Sequence, residues 1–226
     1  MRELDKELAE KTKFQKRLST FILLVLLVGF PMGSWYYLKA GMNYQLKARA
    51  ELGDLGKIKN FNLPNQNDII FSPAMLKGKF LVVGFLDPDN KNQEQQYLDR
   101  LAKLNKQFGK RPDVFLISNL LIDSTKAPDY LHNYALRNGY DKNKHCVFLK
   151  GNKQDFQNLA NIYHLPKTSS LMDVTNSIAF VDTVGTVLNT YDATDMAQLK
   201  RMVEHIAIVI PKDAIPKVEL RREEEK

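Results

Sequence analysis

Apolar and polar positions follow three rhythms along this chain. The first is a solid apolar block: LSTFILLVLLVGFPMGSWYYL, residues 18–38, runs for 21 residues without a charge. At ~1.5 Å per residue, a helix of that length crosses the ~30 Å hydrocarbon layer of a bilayer. Phe21, Leu24 and Leu27 supply apolar surface for lipid, and Trp35, Tyr36 and Tyr37 gather at one end, where amphipathic rings favour the headgroup layer. Pro31 lies inside the block and predicts a local break in the helix.

The second rhythm is short and strand-like. FLVVGF (residues 80–85) is apolar throughout, as expected of a central strand covered on both faces. DVFLIS (113–118) and CVFLK (146–150) are similar, and SIAFVD and TVLNTY (177–182 and 186–191) flank a turn at 183–185 to predict a hairpin. Further upstream, FNLPNQNDIIF reads as two short strands around a Pro-Asn turn.

The third rhythm is helical. Tyr97, Leu101, Leu104 and Phe108 recur at helix spacing, and Asn90 or Asn92 is placed to cap that helix. Residues 126–138 predict a second helix and 151–163 a third. Met196, Leu199, Val203, Ile206 and Ile210 form a stripe on the last. The order β-β-loop-β-α-β-α-β-α-β-β-α predicts an α/β, thioredoxin-like fold with an N-terminal β-hairpin extension, preceded by a single transmembrane helix. The expected organisation is a charged tail (1–17), the span (18–38), a tether (39–60), the thioredoxin-like domain (61–211) and a polar C-terminal tail (212–226).

Charge orients this plan. Lys11, Lys13, Lys16 and Arg17 crowd one end of the span, against Lys39 alone on the other. The positive-inside bias therefore predicts a cytoplasmic N-terminus and a domain across the membrane. A cleaved signal peptide is the competing reading. The run exceeds a typical signal core, and Pro31-Met32-Gly33-Ser34-Trp35 makes a poor cleavage site, so a retained anchor is expected. A bacterial inner membrane with a periplasmic domain is preferred over the mitochondrial inner membrane, because no Arg/Ser-rich transit peptide precedes the anchor. The net charge of +7 is scattered among acids rather than blocked, and no nucleic-acid motif accompanies it.

Chemistry is sparse. The junction FLDPDNKNQ (85–93), between the central strand and its helix, holds no Cys, His or Ser. Asp87 and Asp89 offer carboxylates to a hard cation, but a turn that caps the helix accounts for the same residues. Cys146, the single cysteine, cannot form an internal disulfide and is expected to be buried. His145 beside it points to the opposite strand face. Ser169 and Ser170 lack a nucleophile elbow.

With its anchor, the LPNQND entry, LKGKFLVVGF, DVFLIS, CVFLKG and NSIAFVDTVGTVLNTY in that order, the chain resembles the Sco/SenC family over residues 61–211. These are membrane-anchored, thioredoxin-like proteins that help assemble the copper centre of cytochrome oxidase. The resemblance implies a Cys-x-x-x-Cys after the first core strand and a His before the SIAFVD-like strand, a soft ligand set suited to copper and thiol exchange. In this chain those cysteine positions fall on Pro88 and Asn92, or on Asp87 and Lys91, and the histidine position on Asn176. The expected function is therefore a non-catalytic, Sco-like role through protein contacts in respiratory-complex assembly, or as an accessory subunit, with no cofactor and no small-molecule substrate. A copper chaperone using His145, Cys146 or His164 instead is the alternative, and a thiol oxidoreductase the remote one.

Overall fold

The computed structural model describes residue 15 and residues 17–123, 125–166 and 171–210. Most of the expected tail at 1–17, the expected tail at 212–226, and Ser169 and Ser170 lie outside them. The chain divides into two compact units, one ending at Ala48 and the other beginning at Arg49.

The first unit is built on helix α1 (Arg17–Ala50), the one helix among the described residues long and apolar enough to cross a membrane. Its Phe21, Leu24, Leu27, Trp35, Tyr36 and Tyr37 side chains are uncovered by protein. The break predicted at Pro31 appears as a π-helical turn at Val25–Gly29, where the Phe30 N–H donates to the Val25 carbonyl. Proline has no N–H for the carbonyl one turn back, so the helix widens ahead of it.

In the second unit, β1 (Leu63–Pro64) and β2 (Ile70–Phe71) form the antiparallel N-terminal hairpin. A 3₁₀ turn at Pro73–Leu76 leads into β3 (Phe80–Leu86), all seven residues of which are buried. There follow α2 (Lys91–Phe108), β4 (Val114–Leu121), α3 (Tyr130–Arg137), β5 (Cys146–Gly151) and α4 (Lys153–Ile162). The five-residue helix α5 (Leu171–Thr175), β6 (Ser177–Val181), β7 (Val187–Asp192) and α6 (Met196–Val209) complete the unit. The sheet runs β5-β4-β3-β6-β7; β3, β4 and β5 are parallel, and β6 and β7 pair antiparallel. This is the predicted thioredoxin-like α/β architecture with its added hairpin.

Strand alternation sorts the core into two layers. Val82 and Leu86 of β3 pack with Leu101, Leu104 and Phe108 of α2, with α3 and with α6. Leu81, Val83 and Phe85 face the other way, toward Phe156, Leu159 and Tyr163 at α4. Each of these fully buried side chains contributes about 1.5–3 kcal/mol through removal from water.

Both sheet edges are covered, and neither cover is evident from hydrophobic patterning. Residues 53–58, assigned by sequence to the tether, run along β7 instead: the Gly53 and Leu55 N–H groups donate to the Leu188 and Val187 carbonyls. This strap is held at its start by Glu51, whose carboxylate accepts two hydrogen bonds from Arg201 of α6 at 2.6 and 2.7 Å. On the β5 edge, the buried Gln66 side chain donates to the Cys146 carbonyl (3.1 Å) and accepts from the Phe148 N–H (3.0 Å), standing in for a strand's backbone. Exposed edges invite pairing with other chains, so both devices favour the monomeric sheet.

The last helix departs from its predicted stripe. Met196, the first residue after the Asp195 cap, is 76% exposed, while Met202, His205 and Ile206 are buried. His205 bonds to the Tyr191 hydroxyl (2.8 Å), which explains how an imidazole occupies an apolar face.

Candidate functional site

β3 delivers the chain to the C-terminal end of the parallel strands, where open α/β sheets bind their ligands. The loop that follows satisfies itself. The Asp87 side chain accepts from the Asp89 N–H (3.0 Å), and its carbonyl accepts from the Asn90 N–H (3.2 Å). Pro88 is buried beneath this turn. Asn90 caps α2 by accepting from the Gln93 N–H (3.3 Å), settling the choice between Asn90 and Asn92. Glu94 lies in the first turn, where the helix dipole favours an anion.

The exposed Lys91 donates to Glu94 (2.8 Å) and to the Pro88 carbonyl (3.1 Å). Asp89 pairs with Lys126 at 2.7 Å, and that hydrogen bond raises the lysine above its ordinary pKa. Asn92 is exposed. Asn176 follows α5 and is brought to the start of α2 by Gln93, whose amide donates to Asn176 Oδ1 (2.7 Å) and to the Thr175 hydroxyl (2.8 Å). The loop and Asn176 thus meet at one place, joined through neutral amides and a hydroxyl. Asp87 and Asp89 also line a solvent-open cavity of about 570 Å³ with Asp123 and Lys153.

Under this surface the support is buried and tied by side-chain hydrogen bonds. A Cβ on Gly84 would lie 2.5 Å from the Tyr97 hydroxyl oxygen, so only glycine lets the Tyr97 ring cross β3 there. The Tyr97 hydroxyl donates to Ser118 Oγ (2.7 Å), and burial pushes its pKa far up. Asn119, also fully buried, donates to the Gly84 carbonyl at 3.2 Å.

The alternative ligands do not converge. Cys146 is 1% exposed in the α2-side layer, its thiol aimed at Asn105 Oδ1 (3.7 Å). Burial pushes that thiol up to about 12, the opposite of what a metal-binding or nucleophilic thiolate requires. His145 packs its ring on Phe115, with centroids 5.1 Å apart. His164 adopts a left-handed backbone (φ 52°) at the end of α4, between Tyr163 and Leu165 of the other core layer, and its ring lies against Gly56. Among the described residues, no group of three His, Cys, Asp or Glu is placed to hold a metal ion.

Sequence reading located the loop and Asn176 but missed Gln93 and Thr175, which join them. Both are polar residues at the ends of helices, and nothing in their local pattern marks a bond across more than eighty residues.

No protein-family model matches the chain, and no curated protein matches it. Solved structures do. One is BsSco, a member of the Sco family of cytochrome c oxidase assembly proteins: TM-score 0.52 and 17% identity, over 69% of this chain and 95% of that one. Arabidopsis thaliana ScoI with copper bound matches at TM-score 0.51 and 12% identity, over 67% of this chain and 99% of that one. A Chlorobium tepidum protein named for thiol:disulfide interchange, DsbE, matches at TM-score 0.50 and 13% identity, over 69% and 96%. At these identities the likeness establishes the fold: the chain has the thioredoxin-like fold of Sco-type and thiol-disulfide proteins.

Proposed function

We propose that this chain is a membrane-anchored, non-catalytic Sco-like protein. It acts through protein contacts in the assembly of a respiratory complex, cytochrome oxidase foremost, or as an accessory subunit of one. The observation that carries this reading is the loop after β3. Its side chains are spent on a turn, a helix cap and the Gln93 link to Asn176, and it contains no thiol or imidazole. Disulfide exchange and peroxide reduction both begin with a thiolate, and tight Cu(I) binding calls for soft ligands. The one thiol, Cys146, is buried away from this end. A surface that keeps the position of a metal and redox site without its reactive groups remains suited to recognition.

The reading places the N-terminus in the cytoplasm and the domain in the periplasm, on the strength of the basic residues before the span. Chemical crosslinking in intact membranes, followed by purification of the full chain, tests it. Recovery of oxidase subunits or their assembly factors is expected. If crosslinked products form and none contains a respiratory component, the proposal fails.

A further inference from the structure

Three segments meet at the opposite end of β3: the strap at 57–60, the 3₁₀ turn with Lys77 and Lys79, and the hairpin turn at 182–185. They are stitched by the Ile58 N–H to the Gly185 carbonyl (2.9 Å) and the Gly78 N–H to the Thr183 carbonyl (3.0 Å). Lys57, Lys77 and Lys79 line a groove of about 220 Å³ there, and Lys59 lines an adjacent cavity that shares Lys57. The acid lining the groove, Asp182, accepts from the Val184 (3.0 Å) and Thr186 (2.7 Å) N–H groups, and the lysines outnumber it. Asp113, near Lys79, is already paired with Arg111. Two apolar side chains project from the same end: Val184, 65% exposed at the hairpin tip, and Met75, 61% exposed on the 3₁₀ turn.

The geometry points to this end as a docking face for an anionic lipid surface, with lysines on the headgroups and Val184 and Met75 entering the interfacial layer. Basic side chains are drawn to anionic headgroups, and single apolar tips gain by leaving water for the acyl boundary. An acidic protein surface would satisfy the lysines but has no general place for two separate apolar tips. The far end of β3, seven residues or ~23 Å away, carries Asp87, Asp89 and Asp123 together with Lys91, Lys126 and Lys153, so its charges offset one another. The positive excess therefore lies at the lysine end, and an anionic bilayer attracts that end more strongly than the other. The anchor proposed above holds the domain at a bilayer, so even weak surface affinity acts at high effective concentration. Docked this way, the loop after β3 faces away from the membrane, open to a partner.

The test uses the full chain in nanodiscs of phosphatidylcholine alone or with added phosphatidylglycerol. Val184→Cys carries an environment-sensitive fluorophore, Asp89→Cys serves as the matched probe at the far end, and the buried Cys146 stays unlabelled. In phosphatidylglycerol discs, iodide quenching of the Val184 probe is expected to fall severalfold while the Asp89 probe is unchanged. Lys57→Gln and Lys77→Gln each weaken docking about fivefold, and high salt reproduces the loss without mutation. Equal quenching of the Val184 probe in both lipids overturns the docking face. So does protection that appears only when polyglutamate is added, which assigns the face to an acidic protein. Failure of the chain to co-purify with discs overturns the anchor itself, a distinguishable result.

Discussion

Two regions of this domain divide between them what a thiol or copper site requires. The loop after β3 has the position: the C-terminal end of a parallel sheet, a helix N-terminus, and Asn176 drawn in by Gln93. It lacks every soft ligand. Cys146 has the ligand but lies 1% exposed inside the core, with its thiol held protonated by burial. One place has access without a thiol, the other a thiol without access. What both regions share is the packed layer of Gly84, Tyr97 and Ser118 and the sheet itself.

The largest effect is expected in that shared frame. Gly84→Ala forces a methyl into the Tyr97 ring and strains the Tyr97–Ser118 hydrogen bond, so urea unfolding should show a loss of about 2–4 kcal/mol. A loss under half a kcal/mol would mean that Tyr97 moves freely and the frame is not shared. Next comes Cys146. Cys146→Ser should cost about 1–2 kcal/mol, because a hydroxyl replaces a thiol in an apolar layer with Asn105 as its one partner. In the native chain, Cys146 should resist an aromatic disulfide reagent until denaturant is added; rapid native labelling would remove the contrast between the regions.

Smaller effects are expected at the loop. Asn90→Ala removes the α2 cap at about 1 kcal/mol, whereas Lys91→Ala and Asn92→Ala, both exposed, should stay within about 0.5 kcal/mol. A large loss at Asn92 would make the loop part of the frame rather than a surface laid over it.

Legibility followed the same division. Where apolar periodicity decides structure, sequence sufficed: β3 is buried throughout as its unbroken run implied, and Tyr97, Leu101, Leu104 and Phe108 all face inward. The bond pattern of the loop was also accessible, since Asp, Pro and Asn act locally. Long-range polar bonds were not. Gln66 on the β5 edge, Gln93 on Asn176 and Glu51 on Arg201 join residues 82, 83 and 150 positions apart, with side chains that occur as readily on any surface. The second helix begins at Tyr130 rather than 126, because residues 126–129 are taken by turns that a helical window does not register. Met196 was misplaced because the first position of a helix can satisfy its spacing yet face solvent.

We propose above that the position of a metal and redox site survives here without its ligands. Copper quantified on the purified full chain, loaded with Cu(I) under reducing conditions and freed of excess metal, tests it directly. The account predicts no more than a trace of copper per chain; one copper bound per chain would contradict it.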